Sequence, residues 1–348
     1  GDSGVPMFRR ALMLVREKVP FFALALVVGI VTVVAQSDAG YVTPLDRRPL
    51  SLRFENAVVS YAMYLFKTIW PAHLAAFYLY PQSIPAWRLV GAAIFLAAIT
   101  AVAVASWKRR PYIAAGWMWY IVTLLPVVGI VQVGAQSMAD RYSYVPLIGI
   151  FLAIAWGLNE LLGTFQRWRM PAAALSALAL SSLAVLTWIQ AGTWRDSRTL
   201  WQHAVGVTDE NHLAYCNLGM AHVREGNLED AEQCFQAALL IQPDFKEVKH
   251  NLANVYTLLA VQHKNDGRND DALAYLAKAL TLEPEDSEIY MALGRTHVDL
   301  MNYAEAAKAY SEAVRLSPER ADAHCNLGIA LEGAGNYDDA KRELREAL

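Results

Sequence analysis

The chain has 348 residues, of which 55% are hydrophobic and 18% charged, with a formal net charge of −3. Such a chain is too apolar to stay disordered, and a soluble average would carry about 25% charged residues, so either part of it lies in lipid or its core is unusually large. The charge divides unevenly: residues 1–208 hold 17 basic and 8 acidic residues, while residues 209–348 hold 13 and 25, a balance of +9 against −12. No basic face dominates the polar half, which argues against a nucleic-acid partner.

Five runs in the first half carry no Asp, Glu, Lys or Arg: Val19 to Ser37, Leu89 to Trp107, Pro111 to Ala139, Tyr142 to Asn159 and Met170 to Trp194. Crossing about 30 Å of hydrocarbon takes roughly 20 apolar helical residues. The runs therefore predict about five transmembrane helices within a membrane domain at 1–194. Lys108, Arg109 and Arg110 fill one turn between runs, and Arg167 and Arg169 another. With Arg9, Arg10, Arg16 and Lys18 they mark the cytoplasmic side, because short cytoplasmic loops are enriched in Lys and Arg. The loop around 132–142 and everything after Trp194 then lie outside. Residues 56–70 read as an in-plane or re-entrant helix. Its polar positions Asn56, Ser60, Tyr64 and Lys67 recur at helical spacing, a stripe expected to face a cavity or headgroups.

The second half repeats itself. In a frame of 34 residues starting at 212, Leu218 and Gly219 fall at positions 7 and 8, Ala231 at 20, Phe235 at 24, Ala238 at 27 and Pro243 at 32. A unit at 287–320 matches with Leu293, Gly294, Ala306, Tyr310, Ala313 and Pro318. A unit at 321–348 is truncated after Leu327, Gly328, Ala340 and Leu344. This pattern resembles the tetratricopeptide repeat, in which small residues let paired helices approach and large ones fill the gaps. The unit at 246–286 is seven residues longer, with Leu252 and Ala253 in place and the excess expected between Tyr256 and Gly267. Residues 195–211 read as a leading half-repeat. The fold class is thus all-α: a polytopic membrane helix bundle followed by an α-solenoid at 195–348.

Asn217, Asn251 and Asn326 share position 6, where an amide could bond a guest peptide backbone with both its donor and its acceptor; Asn is also simply a solvated helix residue. Cys216, Cys234 and Cys325 are odd in number and read as buried small residues rather than a disulfide framework. His222 and His297 share position 11, a packing position. No metal-binding or phosphate-loop motif is present.

The segment Gln132 to Pro146 places Asp140 and Arg141 between two apolar runs, where charges are costly and usually have a partner or a ligand. Arg141 could clamp a lipid phosphate with its planar guanidinium, or pair locally with Asp140.

The segments "WPAHLAAFYLYP" at 70–81 and "MADRYSYVPLIG" at 138–149, followed by repeats, are similar to one family. They resemble the transmembrane and tetratricopeptide-repeat containing protein O-mannosyltransferases of the GT-C superfamily, together with bacterial relatives. The resemblance implies transfer of a sugar from a polyprenyl-phosphate-linked donor to a protein hydroxyl, without any further cofactor. Arg141 would stabilise the lipid phosphate, with Asp140, Tyr144, Gln132 and Gln136 as neighbours, and the repeats would hold the acceptor protein. It also implies an integral protein of a bacterial inner membrane with periplasmic repeats, in contact with membrane lipid. The family's acidic catalytic residue is expected upstream, so the chain reads as the C-terminal part of a longer protein. The competing expectation is a non-catalytic, membrane-anchored adaptor whose repeats recruit a partner protein.

Overall fold

The computed structural model describes residues 48–130 and 136–348, with scattered positions between 16 and 35. The first expected span, Val19 to Ser37, lies partly outside the described residues, and Gln132 lies wholly outside them. The chain divides into two compact units, 1–183 and 184–348.

The first unit contains α1 (Leu50–Ile69), α2 (Ala86–Ser106), α3 (Pro111–Leu124), α4 (Tyr144–Thr164) and the start of α5 (Arg169–Gly192). Two short strands, β1 (Tyr78–Leu79) and β2 (Gln136–Met138), pair antiparallel with Tyr78 opposite Met138. Among the described residues three helices are long and apolar enough to cross a membrane: Ala86–Ser106, Asp140–Thr164 and Gln166–Gly192. They coincide with three of the five charge-free runs.

The run from Pro111 to Ala139 does not form one continuous helix. Its α-helix stops at Leu124, continues as a single 3₁₀ turn, Leu125–Val127, and then breaks. Pro126 sits in that turn and cannot donate to the helical ladder, and Gly129 follows with a left-handed φ of +90°. Near the end of the run, Gln136–Met138 form β2. The apolar stretch Pro111–Val127 is shorter than a comfortable span.

Helix α1 begins at Leu50, six residues before the expected start at Asn56. Its polar stripe faces protein rather than an open cavity: Asn56, Ser60 and Tyr64 are all buried. The core of this unit forms where Tyr61 and Tyr64 of α1 meet Trp117, Tyr120 and Leu124 of α3. Tyr120 stacks on Trp117 with ring centroids 5.5 Å apart and donates to the Tyr61 carbonyl at 2.6 Å.

The division between units falls inside α5, not after Trp194. This helix buries none of its residues.

The second unit is the repeat solenoid. Helix α6 (Ser197–Val207) is the leading half-repeat. Asp196 caps it by accepting from Thr199 N at 2.8 Å, and Ala204 is fully buried. Four helical pairs follow: α7 (His212–Glu225) with α8 (Leu228–Ile241), α9 (Lys246–Asn265) with α10 (Asn269–Leu282), α11 (Ser287–Asp299) with α12 (Tyr303–Leu316), and α13 (Ala321–Gly333) with α14 (Tyr337–Glu346).

The pairs close on glycine. A Cβ added at Gly219 would meet the Phe235 ring at 2.8 Å, at Gly294 the Tyr310 ring at 2.5 Å and at Gly328 the Leu344 side chain at 2.6 Å. Each partner lies 16 residues further along the chain. Applied to the long repeat, that spacing pairs Leu276 with Ala260, both buried, rather than with Ala253. The turns agree. Gly226, Gly267 and Gly335, each with φ near +80°, follow Gly219, Ala260 and Gly328 by seven residues. The excess residues therefore give α9 the Leu-Ala pair twice, as Leu252-Ala253 and Leu259-Ala260, one heptad apart and all buried. In the third repeat the left-handed turn position falls to Met301, with φ +57°.

Candidate functional site

The site is built on the loops that join α1 to α2 and α3 to α4. Tyr64 anchors it from α1. Its hydroxyl donates to the Ala139 carbonyl at 3.1 Å and accepts from the Ala139 amide at 3.1 Å, satisfying both backbone groups of a buried residue. About two turns earlier, Asn56 Nδ2 donates to the Ser137 carbonyl at 3.1 Å. The stripe predicted on α1 is thus the surface that holds β2 in place.

The carboxylate of Asp140 then ties down the other loop. Its Oδ2 accepts from the Tyr78 hydroxyl at 2.8 Å and from the Ala75 amide at 2.9 Å. The Tyr78 hydroxyl also lies 2.9 Å from the His73 carbonyl. Lys67 Nζ donates to that same carbonyl at 3.0 Å and lies 4.7 Å from the centre of the Tyr78 ring. These bonds hold His73 at φ +53°, a conformation that a non-glycine residue keeps only when its surroundings fix it. Burial lowers the Lys67 pKa from the ordinary lysine value, with the Asp140 charge opposing. Burial, and then the Asp140 charge, push the Tyr78 phenol well up.

Arg141 is exposed beside this network. Its Nη1 donates to the Ala76 carbonyl at 3.2 Å, and its guanidinium carbon stands 5.1 Å from the centre of the Tyr142 ring. No Asp140–Arg141 ion pair occurs among the ion pairs of the described residues, because Asp140 is turned inward to Tyr78 and Ala75. Tyr144, at the start of α4, is 72% exposed. Gln136 donates to the Tyr142 hydroxyl at 2.7 Å and so supports the ring beneath Arg141. Asp140, Arg141, Tyr144 and Gln136 therefore cluster at one end of α4. Sequence reasoning missed Tyr78 and Lys67 as members; the 70–81 segment and the stripe on α1 already contained them.

At the other end of α4, Glu160 accepts from Arg110 Nε at 3.0 Å and from the Tyr112 hydroxyl at 2.7 Å. This brings the basic turn before α3 to the same end of the unit as the C-terminus of α4, where the Arg167–Arg169 turn begins.

In the repeats, Asn217, Asn251 and Asn326 are each half-buried on the first helix of their pairs. Asn217 Nδ2 donates to the Leu213 carbonyl of its own helix at 2.8 Å. Counted from the turns, the place of Asn217 and Asn326 is taken in α9 by Leu258, so Asn251 stands about two helical turns away from it. His263 joins His222 and His297 in the same count. The Nδ1 atoms of all three are buried without a hydrogen-bond partner. Cys216 is buried, which raises its pKa to about 11, and among the described residues no group of His, Cys, Asp and Glu is arranged to hold a metal.

Residues 210–285 match the tetratricopeptide-repeat family in one form, and residues 258–321 and 291–348 match it in another. The whole solenoid after α6 is thereby covered. Protein O-mannosyl-transferase Tmtc3 of Drosophila melanogaster is 26% identical over 214 residues, covering 61% of this chain and 18% of that protein. Protein O-mannosyl-transferase Tmtc1 of the same organism is 24% identical over 329 residues, covering 70% of this chain and 38% of that protein. This chain resembles the C-terminal, repeat-bearing part of those O-mannosyltransferases. It spans well under two thirds of the length of either. Among solved structures, the crystal structure of MamA is similar over 42% of this chain and 82% of that one, at 19% identity and a TM-score of 0.35.

Proposed function

We propose that this chain is the C-terminal portion of a membrane glycosyltransferase that moves a sugar from a polyprenyl-phosphate donor to a protein acceptor. The carrying observation is the contrast between Asp140 and Arg141. The acid is engaged in two half-buried hydrogen bonds, and the adjacent guanidinium is left exposed without a carboxylate partner. A planar cation held on a fixed loop suits a phosphate oxygen pair, and it would stabilise the charge that grows on that phosphate as the sugar leaves. The role assigned to these residues is to hold the donor, not to take the acceptor's proton. Tyr144 and Gln136 stand beside that cation, and the repeats would keep the acceptor at high effective concentration near it.

Orientation follows from charge. The basic turns at Lys108–Arg110 and Arg167–Arg169 belong to one end of the first unit, joined there through the Arg110–Glu160 pair. The positive-inside rule makes that end cytoplasmic and the Arg141 end extracytoplasmic. For a bacterial inner membrane, the latter is the periplasmic face, and the repeats lie on it.

The reading is tested in the full-length protein, reconstituted with a polyprenyl-phosphate-linked sugar and an acceptor peptide. Arg141→Ala is expected to lower transfer about 100-fold or more, and Arg141→Lys to recover part of it. Unchanged transfer by Arg141→Ala would remove the phosphate assignment. The second reading, a non-catalytic adaptor, draws on the repeat-family matches, which fall on residues 210–348; it expects repeat-dependent partner capture and no transfer by the wild-type protein.

A further inference from the structure

A furrow runs along the seam between α3 and α4, with a volume of about 330 Å³. Its floor is made of glycine. A Cβ at Gly149 would stand 2.6 Å from the Gly116 carbonyl oxygen, and one at Gly116 would collide with the Gly149 carbonyl oxygen, so the two backbones touch, with Trp119 packed against Gly149. Ile148, Leu152 and Trp156 form one wall, and Trp119 stands opposite, fixed by its Nε1 donating to the Val145 carbonyl at 2.9 Å.

The wall continues into the candidate site. Tyr144, Ile148, Leu152 and Trp156 recur every fourth residue and so form one ridge along α4. The ridge is about 18 Å long at 1.5 Å per residue. Arg141 lies just before its first member. At the far end the furrow stops at Tyr112, whose hydroxyl is bound to Glu160. The furrow is therefore an apolar channel open along its side, with an exposed cation at one end and a neutralised ion pair at the other. Its volume falls within the roughly 300–1,000 Å³ usual for small-molecule sites.

We infer that this furrow holds the proximal isoprenoid chain of a polyprenyl phosphate whose phosphate rests on Arg141, an inference that rests on the reading of Arg141 given above. Continuity of the ridge with that cation selects a chain attached to a phosphate. The aromatic walls and glycine floor suit the branched, flat outline of isoprene units, which slide along a seam without needing polar partners. An ordinary membrane lipid would meet all the outward faces of α4 alike. A polyprenyl phosphate would concentrate on this one.

The test uses the full chain in lipid nanodiscs and a polyprenyl phosphate carrying a photoactivatable diazirine near its phosphate end. Parallel arms use the same probe as the free alcohol, and a diazirine-labelled phospholipid. Labelling is expected on α4 between Ile148 and Trp156, competed by unlabelled polyprenyl phosphate. Leu152→Trp, which fills the furrow from an exposed position, should reduce it about tenfold. Phe151→Trp, an equally exposed neighbour outside the furrow, should leave it unchanged and guards against a folding defect. Equal labelling by the phospholipid, or equal loss in Phe151→Trp, would overturn the assignment. If Leu152→Trp has no effect while Arg141→Ala abolishes binding of the probe, the furrow is wrong and the phosphate reading stands. If the alcohol labels the furrow as well as the phosphate does, and Arg141→Ala changes nothing, the phosphate reading fails and the furrow stands.

Discussion

The two units are held together by opposite means. In the repeats, each helix pair closes on a contact 16 residues away: Gly219 with Phe235, Gly294 with Tyr310, Gly328 with Leu344. In the first unit, the site is closed by polar contacts much further apart in the chain. Tyr78 reaches Asp140 across 62 residues, Tyr64 reaches Ala139 across 75 and Asn56 reaches Ser137 across 81. The first arrangement is repeated and apolar, so each unit resembles its neighbours and the solenoid is a scaffold. The second occurs once, depends on hydrogen-bond geometry, and leaves one cation unneutralised. Chemistry is expected where the structure does not repeat.

The sharpest way to break the comparison is to attack one contact of each kind. Phe235 is fully buried against Gly219 and Ala238. Phe235→Ala should cost about 3–5 kcal/mol and lower the unfolding midpoint of the repeats, followed by circular dichroism of the full chain in detergent. Labelling of α4 between Ile148 and Trp156 by the polyprenyl phosphate probe should survive that change. Tyr64→Phe removes only an oxygen but leaves the buried Ala139 amide without its partner, while the Ala139 carbonyl keeps its bond from Tyr142 N; the cost is about 1–3 kcal/mol. It should loosen the 136–140 loop, seen as faster amide exchange at Met138 to Asp140, and weaken the probe's binding while leaving the repeat transition in place. If Tyr64→Phe acts only on stability, the network does not position Arg141.

A gain in stability is expected in the third repeat. Met301 holds the left-handed turn position that glycine fills in the other three, and its side chain is 76% exposed with nothing to pack on. A left-handed conformation costs an ordinary residue about 1–2 kcal/mol, part of which glycine returns as unfolded-state entropy. Met301→Gly should therefore stabilise the repeats by about 0.5–1 kcal/mol. The same substitution at an exposed helical position such as Leu240 should do the reverse.

These contrasts also explain what could be read from the sequence. The repeat helices follow from Leu218-Gly219, Ala231, Phe235 and Ala238, because packing periodicity is local and recurs four times. The length of α9 was legible but its register was not. Leu252-Ala253 and Leu259-Ala260 are a heptad apart and satisfy the same pattern, and only the turn at Gly267 decides between them. In the first unit, hydropathy located α2, α4 and α5. It failed at Pro111 to Ala139, where absence of charge said nothing of the break at Pro126 and Gly129. The stripe Asn56, Ser60, Tyr64 was visible, but what it bonds is fixed by β2, more than seventy residues away. Arg141 and Asp140 were found as charges in an apolar setting. Their separation into a half-buried, hydrogen-bonded acid and an exposed base needed Tyr78, whose role no local pattern marks.

The smallest expected effect is a pH dependence confined to the last repeat. His324 on α13 has both ring nitrogens opposite acceptors: Nε2 lies 2.9 Å from the Pro318 carbonyl and Nδ1 lies 2.9 Å from Glu343 Oε2 on α14. A neutral imidazole can donate to only one of them, whereas the imidazolium donates to both. The Pro318 carbonyl, then the charge of Glu343 and more weakly of Glu346, raise the folded-state pKa above the ordinary histidine value, against a smaller opposing effect of burial. A raised folded-state pKa means that the bonded cation stabilises the fold fully at pH values below about 6.5, the unfolded value, and that this contribution is lost as pH rises through the folded value. The difference in unfolding midpoint between the wild-type chain and His324→Gln should accordingly shrink on going from mildly acidic to mildly alkaline solution. Glu343→Gln should flatten that dependence while keeping the bond to Pro318. A midpoint difference that does not vary with pH would mean that the ring is neutral and that Glu343 is satisfied by Arg342, its other neighbour at 3.3 Å.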